Sequence, residues 1–138
     1  MAAFVVDASV AAAWLLPDEA TPFTEAALLA TAAGEVWVPA LWLLEMGNLL
    51  LSAQRRKRID SAKRQQLATA CDALRLRIDR EPVAITALDT LAARHQLTTC
   101  AAAYLELALR RGLPLATFDT ALLAAMGLAG VAAPDLPR

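Results

Sequence analysis

The chain has little of what several common chemistries need. Among 138 residues there is one histidine, His95, and two cysteines, Cys71 and Cys100. The cysteines lack the spacing of a zinc site and are too few for a disulfide framework. A reducing cytoplasm is therefore the expected setting. Glycine is scarce, at five residues, and no glycine-rich phosphate loop or Ser/His/Asp arrangement is readable. No apolar run reaches the roughly 18 residues of a membrane-spanning helix. The longest, such as "ALLAAMGLAGVAA", are broken by glycine. The start, "MAAFVVDAS", has no basic leader and meets an acid at Asp7, which predicts no signal peptide. The formal net charge of −1 argues neither for nor against a nucleic-acid partner.

What the chain does have is apolar surface. Hydrophobic residues make up 58%, against roughly 45–50% in an average soluble domain. Much of the excess is alanine, a helix former; part is available as surface for a partner to cover. The length is that of one domain, able to bury a core without staples. With no internal repeat and no linker, residues 1–138 read as a single domain.

Short apolar runs alternate with helix-like segments. "AFVVDA", "EVWVP", "EPVAIT" and "LPLATFD" read as strands, with "GVAAP" as a fifth, edge strand. Between them, "SVAAAWLL" is helical in composition and stops at Pro17. Asp18 or Thr21 can cap a second helix, with Pro22 in its first turn and Gly34 past its end. Pro39 can open a third helix, "ALWLLEMGNLLLSAQRRKR". "IDSAKRQQLATACDALRLRID" follows, capped at Asp60 or Ser61, then "ALDTLAARHQ", with His95 an ordinary helix-end residue. "CAAAYLELALRR" ends at Gly112, and "TALLAAMG" is the last helix. This alternation predicts an α/β fold with a mostly parallel sheet.

In open α/β sheets, sites form outside the carboxyl ends of the strands. Asp7 and Asp119 each follow a strand there. Each also suits a helix N-cap, an explanation that needs no chemistry. Glu45 is different. It is the only charge in "VWVPALWLLEMGNLLLSA", and burying a lone carboxylate is costly unless it is paired or binds a metal. Asn48, three residues on, shares its helix face. Three carboxylates at one sheet edge repel one another and favour a cation. Oxygen ligands suit Mg²⁺ or Mn²⁺, which can activate water and offset charge on a phosphodiester.

"VVDASV", "VPALWLLEMGNLL" and "YLELALRRGLPLATFD", in that order and spacing, resemble the PIN-domain family, and within it the VapC toxins of bacterial toxin–antitoxin pairs. The resemblance spans nearly the whole chain. It implies an α/β/α sandwich with a parallel sheet of four or five strands. It also implies an Mg²⁺- or Mn²⁺-dependent endoribonuclease, usually dimeric and held inactive by a VapB-like antitoxin in a hetero-oligomer. Asp7, Glu45 and Asp119 match the family's first, second and last acids. Ser9, Asn48 and Thr117 match its supporting hydroxyl, amide and hydroxyl.

The departure is Ala101. In "CAAAYLELA" the family pattern places an aspartate there, three residues before Tyr104, as a metal ligand or base. Glu106, five positions along the helix, points about 140° away and is no replacement. The intact surroundings favour an engineered Asp→Ala change that disarms a toxic nuclease. A weakly active natural variant is the alternative, and either leaves this chain impaired.

Nine of the 13 Lys and Arg residues lie between Arg55 and Arg80. Arg55, Arg56, Lys57 and Arg58 are candidates to hold RNA phosphates; the plainer reading is a solvated helical hairpin. Of the early aromatics Trp14, Phe23, Trp37 and Trp42, Trp37 is expected in the core. Some of the others are candidates for a groove that takes an amphipathic antitoxin helix. An antitoxin arginine could pair with the acids. Two other functions compete with the toxin. One is a PIN-like module that binds RNA or antitoxin without cleaving. The other is an unrelated α/β domain whose acids only cap helices.

Overall fold

A computed structural model describes residues 3–138. Met1 and Ala2, the first residues of the domain expected over 1–138, lie outside the described residues. Four parallel strands form one sheet: β1 (Phe4–Val6), β2 (Val36–Pro39), β3 (Arg77–Asp79) and β4 (Leu115–Ala116). The spatial order is β3-β2-β1-β4. Val5 of β1 pairs with Trp37 on one side and with Leu115 on the other. Seven helices accompany them: α1 (Ala8–Leu15), α2 (Pro22–Ala30), α3 (Leu41–Arg55), α4 (Ser61–Ala73), α5 (Ile85–His95), α6 (Thr99–Arg111) and α7 (Thr120–Ala129).

The expected α/β architecture is present, and the local signals explain most of it. Thr21 caps α2 with a reciprocal hydroxyl bond to Thr24, and Pro22 fills the first helical position, where its missing N–H costs nothing. Asp60 caps α4. Gly112 ends α6 in the left-handed conformation, φ 64°, which glycine adopts without a Cβ clash. Pro39 belongs to β2, and α3 starts two residues later.

The sheet is buried on both faces. Phe4, Val5, Val6, Val36, Val38 and Leu115 are all within 1% of full burial, which is why these strands read as unbroken apolar runs. Helix α6 packs Tyr104, Leu105 and Leu107 into the same core. Trp42 and Phe23 are core residues at 1% and 4% exposure, so neither is available to line a partner groove. Trp37 is only half-buried. The Arg111 guanidinium lies 3.9 Å from its ring centroid and that of Arg77 5.7 Å.

Two expected strands are corrected. The third strand is "RID", residues 77–79, not "EPVAIT". Pro82 has no N–H to offer a ladder, and most of the latter segment is exposed. "GVAAP" forms no strand; its one backbone bond to β4 is Leu115 N–H to the Ala132 carbonyl at 2.9 Å, and Pro134 has no N–H to extend it. Among the described residues, no helix is long and apolar enough to cross a membrane.

Candidate active site

The chain lays down β1, β2 and β3 outward in one direction, then returns to place β4 on the other side of β1. The reversal leaves a crevice at the carboxyl ends of β1 and β4, where sites form in such sheets. Asp7 immediately follows β1, and Asp119 lies three residues beyond β4. A cavity of about 190 Å³ opens there, lined by Asp7, Ser9, Glu45, Ala101, Tyr104 and Asp119 among others. Four separated chain segments therefore supply it.

Asp7 is 5% exposed and fully engaged. One carboxylate oxygen accepts from Ser9 Oγ at 2.6 Å and from the Val10 N–H at 3.2 Å, which caps α1. The other accepts a short bond from Thr117 Oγ1. Burial pushes the Asp7 carboxyl above its ordinary range, and the bonds from Ser9, Thr117 and Val10 oppose that shift. These hydroxyls also brace the segment after β4. Thr117 Oγ1 accepts the Asp119 N–H at 3.0 Å, and Ser9 Oγ accepts the Phe118 N–H at 2.9 Å.

Asp119 caps α7, accepting from the N–H groups of Ala121 and Leu122 through one oxygen. Both strand-end acids thus cap helices, as the plainer explanation held, and both line the cavity as well. Glu45, at mid-helix on α3, is held by Tyr104: the phenol donates to Glu45 Oε1 at 2.5 Å. Tyr104 is 3% exposed. Burial, then the bond to Glu45 and its charge, drive the phenol's pKa well above the ordinary range, so it remains a donor.

Ala101 lines the same cavity, in the first turn of α6, where its N–H bonds the capping Thr98 hydroxyl at 3.1 Å. That turn carries no acid. Glu106 points elsewhere, as expected, and pairs with Arg110 at 2.6 Å. Asn48 is exposed and does not line the cavity. His95 ends α5 and is likewise absent from it.

Arg55, Arg56, Lys57 and Arg58 sit at the far end of α3. Ten residues of helix separate Glu45 from Arg55, roughly 15 Å at 1.5 Å per residue. Arg58 is engaged by Asp18 at 3.1 Å and Glu19 at 3.3 Å. Arg55, Arg56 and Lys57 are exposed.

The residue whose role the sequence left unread is Tyr104, a landmark there and a direct partner of Glu45 here. A tyrosine in an apolar helix needs a partner for its hydroxyl once buried, and that is the signal that could have found it.

The donor set is of hard oxygens, the kind Mg²⁺ and Mn²⁺ favour. Glu45 and Asp119 each keep one carboxylate oxygen without a hydrogen bond among the described residues. Yet no group of three or more His, Cys, Asp or Glu side chains is gathered closely enough to hold a metal among the described residues. The residues present fit such an ion in kind, but the three acids of the cavity stand too far apart to close around one as they are placed.

Family comparison agrees with this geometry. The family model described as "PIN domain" matches residues 4–127. The chain belongs to the PIN-domain family, whose members are generally metal-dependent nucleases. Among solved structures, it is similar to PAE2754 from Pyrobaculum aerophilum, with a TM-score of 0.67 and 22% identity. That match covers 90% of this chain and 84% of the other; at such identity the likeness is one of fold alone. No match is found among curated protein sequences.

Proposed function

We propose that the protein is a VapC-type toxin, a divalent-metal-dependent endoribonuclease neutralised by a VapB-like antitoxin, in a form impaired at position 101. The observation that supports this most is the convergence of Asp7, Glu45, Asp119 and Ala101 on one cavity at the β1–β4 crevice. An Mg²⁺ or Mn²⁺ ion would be held by Asp7, Glu45 and Asp119. Bound there, it would supply an activated water and offset phosphodiester charge.

The chain's own residues set up that site. Ser9 and Thr117 hold Asp7 in orientation, and Tyr104 fixes one oxygen of Glu45. An aspartate at 101 would project from the positive N-terminal turn of α6, a position that favours an anion. With alanine there the pocket lacks one carboxylate. RNA, an antitoxin helix and a second copy of the chain, forming a homodimer, are the proposed partners.

A second reading has its own support. Asp7 has both oxygens engaged, and no three-ligand group forms among the described residues. A PIN module that binds RNA or antitoxin without cleaving would look the same. Restoring the acid separates the two. Ala101→Asp and the parent chain are incubated with total cellular RNA and Mg²⁺ or Mn²⁺. Cleavage by Ala101→Asp alone is expected. A folded Ala101→Asp protein that binds Mn²⁺ and leaves the RNA intact would establish the binding module.

A further inference from the structure

Phe118 stands between the two residues that anchor the end of the crevice, Thr117 and Asp119, yet its own ring is not tucked inside. It is 44% exposed, while most of the chain's other aromatic side chains are partly or fully buried. A phenylalanine left open to water beside a carboxylate contributes little to the core.

Its backbone is also tied to the crevice. The Phe118 N–H bonds Ser9 Oγ at 2.9 Å, and Ser9 in turn bonds Asp7. On one side the ring meets Phe23, with centroids 5.8 Å apart and planes tilted by 50°. Phe23 is 4% exposed, so the exposed ring rests on a buried one. The Arg138 guanidinium lies 4.8 Å from the Phe23 centroid and adds a positive charge to the same cluster.

We propose that Phe118 is a stacking platform for an unpaired nucleobase, which makes it a substrate-positioning residue of the nuclease site. The inference rests on the nuclease reading above. Every base has a π-face, and an exposed aromatic ring binds single strands by stacking, with little regard to sequence. Phe118 does not line the crevice, so a base stacked on its ring would lie just outside it, one residue along the chain from Asp119. Base-paired RNA, with its bases stacked on each other, could not use the ring, so the site would favour loops and single strands.

The parent chain suits the test, since alanine at 101 is expected to leave RNA uncut while it binds. Fluorescence anisotropy with Mg²⁺ would follow a labelled single-stranded RNA of about ten mixed nucleotides, and a duplex of the same sequence. Phe118→Leu keeps the apolar contact with Phe23 but removes the π-face; Phe118→Trp restores one. Circular dichroism melting checks the fold of each.

The expected result is that Phe118→Leu weakens single-strand binding roughly tenfold, the order of one base–aromatic stack. Phe118→Trp should bind within about twofold of the parent, and duplex binding should be unchanged in both variants. Equal single-strand affinity in Phe118→Leu and the parent would overturn the platform while leaving the nuclease reading in place, and would point to a protein contact for the ring. Equal losses for duplex and single strand would also overturn it, because stacking distinguishes the two. Failure of the folded parent to bind any single-stranded RNA would overturn both the platform and the nuclease reading.

Discussion

Tyr104→Phe isolates one hydrogen bond in the crevice and little else. The ring is 3% exposed and sits in the core, and phenylalanine keeps that packing. What is lost is the 2.5 Å bond to Glu45. Bonds to charged groups contribute about 1.5–3 kcal/mol. Glu45 is only half-buried, so water can take the vacated place, and the lower end, about 1.5 kcal/mol, is expected. For a chain of this size that lowers Tm by about 4–7 °C. Thermal melts without divalent ions would measure it. A double-mutant cycle with Glu45→Ala should give a coupling of about 1 kcal/mol or more, as for residues in direct contact. Loosening Glu45 should also weaken any stabilisation by Mn²⁺ at the proposed site, which follows ligand affinity. A Tyr104→Phe protein that melts with its parent and shows no coupling to Glu45 would refute the claim that Tyr104 holds the acid.

Asp79 offers a test by pH. Hydrogen bonds from Arg110 and then Arg111 hold its carboxyl below the ordinary range despite burial. A depressed folded-state value means its contribution is complete above the unfolded-state value and is lost as pH falls through the folded one. Asp79→Asn should therefore cost about 2 kcal/mol at neutral pH, less than for a fully buried pair because both guanidinium groups are part-exposed. The difference in Tm should shrink once the pH drops below about 3.8. Thr117→Val removes a bond that restrains Asp7's upward shift, so divalent-ion binding, followed by calorimetry, should move to higher pH. Replacing Arg55, Arg56 and Lys57 together with alanine should weaken RNA binding and flatten its dependence on salt. Arg58→Ala, whose partners are surface acids, should change stability by less than about 1 kcal/mol.

The positions of Asp7 and Asp119 were legible because a continuous apolar strand and a helix cap leave strong local signals. Glu45 was legible as a lone charge in an apolar helix. Strand β3 was not. It is three residues long, two of them charged, and its ladder with β2 owes more to tertiary pairing than to pattern. Asp79 is buried because two arginines from α6 reach it, a partnership across about thirty residues that no local window contains. Phe118 was hidden for the opposite reason. In "LPLATFD" it looks like one more strand residue, whereas the ladder has already ended at Ala116.

The bond between Thr117 and Asp7 spans 110 residues of chain, and that separation has a consequence for synthesis. A ribosome makes β1, β2 and β3 long before β4, and β4 must slide in beside β1 before Asp119 faces Asp7. A nascent chain halted before Leu115 has a half-built sheet edge and no crevice. Pairing across so many residues is slow to form. A PIN domain of this topology would thus spend its time on the ribosome, surrounded by RNA, without an assembled crevice.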